Sequence, residues 1–207
     1  MLALPDLFVF ITALIAVYLL PGPDMALVLS TSIVSGVRNG LMTAVGLAIS
    51  RTLHLVLSAL GLAALLHTHQ FLFDAARYLG AAYLLFLAWK MLRAKAAHAT
   101  PLGTQAGQGW SALLNGVMTN LLNPKALLFC ALLLPQFITS QYNLGTQYLT
   151  LGVILVGLGL AFDVAYALAA AHFAQRFSGE NTGHKVLRLM FACTFGFISI
   201  RLVMSGG

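Results

Sequence analysis

The chain has 207 residues, of which 60% are hydrophobic and only 8% are charged, and its mean hydropathy is +0.92. Soluble domains carry about 25% charged residues, so this composition excludes an ordinary soluble enzyme and a disordered chain. The net charge of +6 comes from 11 Lys and Arg residues that form no cluster, which excludes a nucleic-acid binder. The composition therefore predicts a membrane protein with no nucleic-acid partner.

Long apolar runs determine the predicted architecture. A helix needs roughly 20 mostly apolar residues to cross a bilayer. The chain contains six candidate spans, at about 4–33, 40–66, 70–92, 110–138, 144–174 and 186–204. Short connections join them, except for a polar loop at about 93–109 that is expected to be cytoplasmic. We expect an all-α membrane protein with a single transmembrane domain over 1–207.

Proline interrupts two of these predicted helices. The tetrapeptide PGPD at 21–24 divides the first span, and NPK at 123–125 divides the fourth. Proline removes a backbone donor and clashes with the preceding turn, so helices 1 and 4 should be broken there. Pro23 and Asn123 suit the start of a second half-helix. Irregular backbone at membrane depth is tolerated where it is packed in protein or lines a cavity.

The two breaks occupy corresponding places in the two halves of the chain. His54 and Asp163 are 109 positions apart, and Arg77 and Arg188 are 111 apart. Each half would contain three spans, repeat one at about 1–95 and repeat two at about 110–207. An odd number of spans inverts the second repeat, which is a pattern typical of secondary transporters with a binding site at paired broken helices.

Positive charge near the span ends predicts the orientation. Lys and Arg occur in the first, third and fifth connections, whereas the second and fourth connections carry none. The positive-inside rule places the odd-numbered connections in the cytoplasm. Both termini should then face outside.

These motifs resemble the LysE/RhtB family of amino-acid exporters, essentially from end to end. The resemblance rests on PGPD at 21–24, LGAAYLLFLAWKMLR at 79–93, NLLNPKA at 120–126 and LPQF at 134–137. Gly46 with His54, and Asp163 with Tyr166, also match positions of the family, whereas Arg51 does not. The resemblance implies a transporter and not an enzyme, located in the bacterial cytoplasmic membrane. It would export amino acids or their derivatives, coupled to protons. No cofactor is expected, and the sequence leaves open whether the protein is a monomer or a homodimer.

Polar residues inside the apolar spans are the candidate site, with no catalytic residue and no metal ligand expected. The substrate-binding candidates surround the two breaks: Pro21, Gly22, Pro23, Asp24, Asn120, Asn123, Pro124 and Lys125. The proton-coupling candidates lie on the second and fifth spans: Arg51, His54 and Asp163.

Several of these residues also have a structural interpretation. Asp24 could cap its half-helix, or it could bind a substrate amine or a proton. Asp163 needs a partner from another helix because an unpaired charge at this depth is costly, and Arg51 or His54 would supply one. Arg51 could instead bind a substrate carboxylate. His54 titrates near neutral pH, but it could also bond a facing carbonyl.

Lys125 stands in the first turn of a half-helix, where the dipole disfavours a cation. We expect either a compensating anion or a side chain extended to the cytoplasmic side. The amides of Asn120 and Asn123 would bond the carbonyls freed by the break, the substrate, or both. Close helix approach is expected at three glycines of the fifth span: Gly152, Gly157 and Gly159.

An amino acid is a zwitterion, so both of its charges need partners at mid-membrane. Asp24 is the expected partner of the amine, and the break at Asn123, with Lys125, is that of the carboxylate. Two other functions stay open. A divalent-cation exporter would have few oxygen ligands. A membrane thiol–disulfide enzyme would have to pair Cys130 with Cys193, which lie in different halves without a C-x-x-C motif.

Overall fold

The structure, a computed structural model, describes residues 4–60, 70–93, 108–139 and 141–176, and helical positions at 189, 192–194, 196–197, 199–200 and 203–204. Within these residues every regular element is helical, and no strand occurs. The elements are α1 (Leu4–Leu19), α2 (Pro23–Ser35), α3 (Val37–Ala59), α4 (Gln70–Arg93), α5 (Gln108–Leu121), α6 (Pro124–Leu128), a π-helical turn (Phe129–Leu133), a 3-10 turn (Leu134–Phe137) and α7 (Leu144–Arg176).

Two of the described helices are long and apolar enough to cross a membrane by themselves, namely α3 and residues Leu144–Ala170 of α7. Two bent pairs qualify if each pair is one span: α1 with α2, and Gly109–Leu121 with Pro124–Phe137. The described residues therefore contain two to four candidate spans.

The predicted helices correspond to the observed ones where the chain is described. The predicted third span, 70–92, matches α4 in its bounds, and the fifth, 144–174, matches α7. The end of the second span, most of the loop at 93–109 and most of the sixth span lie outside the described residues, as do Lys95, Lys185, Arg188 and Arg201. The six-span count and the domain bounds remain predictions.

Both predicted helix breaks are present, with nearly equal bends of 53° and 54°. The first follows Leu19: Gly22 has extended backbone and α2 begins at Pro23, whose missing N–H is no loss in the first turn. The second follows Leu121: the side chain of Asn123 accepts a hydrogen bond from the backbone N–H of Lys125, and α6 begins at Pro124.

The second broken span becomes irregular after α6. A π-helical turn at Phe129–Leu133 leads into a 3-10 turn that contains Pro135. Proline cannot donate a hydrogen bond to the carbonyl four residues earlier and its ring crowds that carbonyl. The helical pitch changes just before Pro135 because the α-helical hydrogen bond cannot form there.

Close packing of α3 against α5 forms the centre of the bundle. A Cβ atom on Gly46 would collide with the carbonyl oxygen of Leu113, and one on Gly116 would collide with the carbonyl oxygen of Thr43. The two backbones touch because both positions lack a side chain. This contact brings the buried face of α3, which carries Arg51 and His54, against the second break.

The three glycines singled out in the fifth predicted span behave differently. Gly152 lies against Leu55, and Gly159 lies against Tyr18 and Arg51. Among the described residues, no atom lies within 4 Å of a Cβ added at Gly157. The prediction of close approach was therefore wrong for Gly157, which faces away from the neighbouring described helices.

Candidate functional site

The two helix breaks meet through the side chain of Asp24. Its Oδ2 accepts a hydrogen bond from Asn120 Nδ2 at 2.6 Å, and its Oδ1 accepts one from Asn123 Nδ2 at 2.9 Å. Asp24 is in the first turn of α2, whereas Asn120 is in the last turn of α5 and Asn123 is the N-cap of α6. One carboxylate thus joins the half-helices of both broken spans, and the breaks at Pro21–Pro23 and Asn123–Pro124 lie side by side.

Lys125 reaches across to the first break. Its Nζ donates to the carbonyl oxygens of Val17 at 3.0 Å and Leu20 at 3.2 Å. These carbonyls are at the C-terminal end of α1, which is the negative end of the helix dipole. The free carbonyls of a broken helix thus hold this cation, and the sequence analysis did not name these partners.

Gly22 makes room for that contact. A Cβ atom at this position would stand 3.1 Å from Lys125 Nζ, which is too close without a shift of the ammonium group. The glycine of the PGP segment therefore serves the approach of the two breaks as well as the turn of the chain.

Arg51 lies between the carboxylates of Asp24 and Asp163. Its Nη1 donates to Asp163 Oδ2 at 2.5 Å, and its Nη2 is 3.5 Å from Asp24 Oδ2. The side chains of Arg51 and Asp163 are each 4% exposed, and that of Asp24 is 15% exposed. The structure thus contains the contact that we expected between Asp163 and Arg51, and it adds a longer contact to Asp24.

His54 takes the carbonyl partner rather than an acid. Its Nε2 is 3.1 Å from the backbone oxygen of Asn120, so this nitrogen carries the proton that it donates. Its Nδ1 and the Oδ1 of Asn120 are buried without a hydrogen-bond partner. Buried polar atoms without partners cost free energy, and both belong to residues that line the central cavity.

Tyr18 is a site residue that the sequence analysis missed. The centre of its ring is 5.2 Å from the guanidinium carbon of Arg51. Its hydroxyl donates to the carbonyl oxygen of Leu155 at 2.8 Å, and its own carbonyl oxygen accepts a bond from the Tyr166 hydroxyl at 2.9 Å. A lone phenol in the aliphatic run LIAVYLL, three residues before Pro21, was the signal available in the sequence.

A cavity of about 40 Å³ lies among these side chains. Asp24, Arg51, Asp163 and Lys125 contribute its charges, and aliphatic and aromatic side chains of α1, the π-helical turn and α7 contribute apolar wall. Roughly 10–15 Å³ of such space holds one water molecule. The cavity has room for a few waters, so an organic solute can enter only after side chains or half-helices move apart.

The described residues offer little to the two other functions considered. They contain no group of three or more His, Cys, Asp or Glu residues that could hold a metal ion. Cys130 is buried, Cys193 is exposed, and both are free thiols. No observation favours a cation exporter or a thiol–disulfide enzyme.

Comparison with known proteins identifies the family. A family model described as LysE type translocator matches residues 15–206. A leucine efflux protein of Enterobacter sp. (strain 638) is 33% identical over 178 residues, which cover 83% of this chain and 82% of that protein. A homoserine/homoserine lactone efflux protein of Salmonella typhimurium is 30% identical over 182 residues, 88% of each chain. No solved structure matches the chain.

The match extends over both helix breaks and over every charged residue of the cavity. The resemblance seen in PGPD at 21–24 and NLLNPKA at 120–126 is thereby confirmed, and so is the inference of a membrane transporter. The chain belongs to the LysE type translocators, a family of transporters and not of enzymes.

Proposed function

We propose that this protein is an amino-acid exporter of the bacterial inner membrane. The observation that carries the proposal is the cavity at the two helix breaks, where an anion, Asp24, and a cation, Lys125, both face one space. A zwitterion in a low-dielectric interior needs a partner for each charge. The names of the relatives, which export leucine or homoserine and its lactone, support the same substrate class.

Asp24 is the proposed acceptor for the substrate amine. Its carboxylate already receives two amide N–H bonds, and its distance of 3.5 Å from Arg51 is longer than a strong ionic hydrogen bond. Carboxylate oxygens have about four lone-pair sites between them. An ammonium group of the substrate can therefore add to the existing partners of Asp24.

Lys125 is the proposed partner of the substrate carboxylate. An ammonium group has three N–H donors, and two of them bond the carbonyls of Val17 and Leu20. The third donor is available to an anion in the cavity. Asn120 and Asn123 hold the amine acceptor in place, and the prolines and Gly22 shape the breaks that bring both charges together.

The remaining wall of the cavity suits an uncharged side chain. Leu14, Val17, Phe129 and Leu155 line it, and burying an aliphatic group against such residues is favourable by about 0.8 kcal/mol per methylene. We infer that neutral amino acids are the preferred substrates. Which neutral side chain fits best depends on how far the breaks open.

Transport requires the closed arrangement around Asp24 and Lys125 to open alternately toward each side. The equal bends of the two broken spans, 53° and 54°, support two inverted repeats of three spans, with the breaks near mid-membrane. Asp163, His54 and Arg51 are the proposed proton-coupling residues. The basic residues of the odd-numbered connections support a topology with both termini outside.

The decisive experiment uses inside-out vesicles and a panel of radiolabelled amino acids. We expect vesicles that contain the protein to accumulate neutral amino acids when the interior is acidic, and to lose this accumulation when a protonophore is added. Vesicles without the protein and vesicles with Asp24→Asn are the controls. If no amino acid accumulates above the level in vesicles without the protein under any gradient, the proposed function is wrong.

A further inference from the structure

We propose that Arg51 makes proton binding and substrate binding mutually exclusive, because its guanidinium pairs with Asp163 when that acid is ionised and with Asp24 when Asp163 is protonated. The proposal rests on the proposed function, since it takes Asp24 as the site of the substrate amine. Arg51 would thereby couple proton binding at Asp163 to substrate binding at Asp24, a role that the residues of the helix breaks cannot take by themselves.

The geometry places one cation between two acids at unequal distances. Arg51 Nη1 is 2.5 Å from Asp163 Oδ2, whereas Nη2 is 3.5 Å from Asp24 Oδ2. A guanidinium presents its N–H groups as a rigid fork, so each arm faces a different carboxylate. Arg51 is buried, and a buried cation that loses one partner must find another.

The other ionisable groups around Arg51, Asp24 and Asp163 come from five elements. Tyr18 of α1, His54 of α3, Lys125 of α6, Cys130 of the π-helical turn and Tyr166 of α7 line the same cavity. Lys125 is held by backbone carbonyls and His54 by the carbonyl of Asn120. Arg51 is the cation that contacts both Asp24 and Asp163.

The exchange follows from these distances. With Asp163 ionised, Arg51 stays on Asp163, and Asp24 can receive an amine. A proton that binds a carboxylate oxygen of Asp163 removes its charge, and the guanidinium then closes the gap to Asp24, where ionic hydrogen bonds are roughly 2.7–2.9 Å long. The arginine then neutralises the charge of Asp24 and repels a second cation, the substrate amine. Loss of the proton reverses the shift, so a proton and a substrate replace each other.

The surroundings allow the guanidinium to move by this amount. A Cβ atom on Gly159 would stand 2.9 Å from Nη1 of Arg51. Because glycine has no such atom, this space stays open to the guanidinium. The ring of Tyr18 lies 5.2 Å from the guanidinium carbon. A cation keeps its attraction to an aromatic face while it shifts along that face, so Tyr18 can accompany Arg51 in both positions.

The first test measures binding of radiolabelled leucine to the purified protein in lipid nanodiscs between pH 5 and pH 8. For the wild type we expect affinity to fall on acidification, with a limiting slope of about tenfold per pH unit for one competing proton. Arg51→Gln should keep its affinity at acidic pH. Arg38→Gln, which removes an exposed arginine from the same helix, should behave like the wild type. A pH profile of Arg51→Gln that matches the wild type overturns the proposal.

The second test uses suppression. Asp163→Asn imitates the protonated acid, so we expect weak leucine binding at every pH. Asp163→Asn combined with Arg51→Gln frees Asp24 and should bind at least tenfold more tightly than Asp163→Asn alone. If Arg51 binds the substrate carboxylate, or is only structural, the double variant binds no better than the single one, which rejects the switch.

A structure of Asp163→Asn decides the matter without any substrate. We expect the Arg51 guanidinium within hydrogen-bond distance of Asp24, and a guanidinium that stays at position 163 overturns the proposal. If the wild type binds no amino acid, the proposed function fails, but this structural result still decides on Arg51. If Asp163→Asn does not fold, a structure of the wild type determined at acidic pH replaces it, with the same two outcomes.

Discussion

The side chain of Asp24 connects the two broken spans and also lies near Arg51. It accepts bonds from two asparagines of the other broken span and lies near Arg51. A carboxylate so placed does more than cap α2, and the structure indeed shows no side-chain cap on that helix. The two asparagines come from the second half of the chain, which a helix-capping role would not require.

Replacing Asp24 with Asn keeps the shape of the side chain and removes its charge. Hydrogen bonds to charged groups contribute roughly 1.5–3 kcal/mol, so we expect amino-acid affinity to fall by about ten- to a hundredfold. The measurement is equilibrium binding in nanodiscs. Asp6→Asn, at an exposed aspartate in the first turn of α1, is the matched control. Unchanged affinity in Asp24→Asn would place the amine elsewhere.

The role of Lys125 is either to bind the substrate carboxylate or to hold the two breaks together, and the sequence alone does not distinguish these roles. Lys125→Ala removes the donor that we assign to the substrate carboxylate and also the bonds to Val17 and Leu20. We expect uptake of amino acids to fall more than uptake of their amides or methyl esters, because the derivatives carry no anion. Competition assays in vesicles measure the difference. Equal losses for acids and amides would leave Lys125 as a purely structural clamp between the breaks.

At the scale of elements, the site depends on how closely α3 and α5 approach. Their backbones touch at Gly46 and Gly116, and the same crossing places His54 against the carbonyl of Asn120. A helix pair with larger residues at this contact would hold Arg51 and the second break farther apart. The glycines are therefore as necessary to the cavity as the charges in it.

Gly46→Ala tests this contact. The added Cβ would meet the backbone of Leu113 and Val117, and overpacking of this kind costs about 1–3 kcal/mol. We expect a lower melting temperature in detergent and weaker transport. Gly157→Ala is the matched control, since its Cβ meets nothing within 4 Å and alanine favours a helix. A Gly46→Ala protein as stable as this control would show that the helices can separate freely.

At the scale of the whole molecule, the orientation in the membrane is the main prediction. Lys and Arg are absent from the second and fourth connections, so those connections should face outside. In a protein with Cys130→Ser and Cys193→Ser, a cysteine introduced at Gln70 should react with an impermeant maleimide added outside whole cells. A cysteine at Gln108 should react only in inside-out vesicles. The opposite pattern would show that the predicted topology is inverted.

The sequence by itself determined the membrane class, the two helix breaks and the family. These conclusions depend on local chemistry: apolar runs of sufficient length, prolines that cannot continue a helix, and the motifs at 21–24 and 120–126. The candidate residues also followed, because a charge inside an apolar span needs a partner wherever that partner is. Such properties belong to short segments and can be read without knowing how the segments pack.

Only the tertiary structure decided which partner each charge takes. Lys125 bonds the carbonyls of Val17 and Leu20 more than a hundred residues away, and backbone acceptors of this kind leave no mark in a sequence. Arg51 lies between Asp24 and Asp163, and Tyr18 lies beside it, because helix crossings and rotations set those distances. The same geometry separates Gly159, which lies against Arg51, from Gly157, beside which no described residue packs. These two positions on one helix differ by about 200° in direction, and only the neighbouring helices decide which direction is filled.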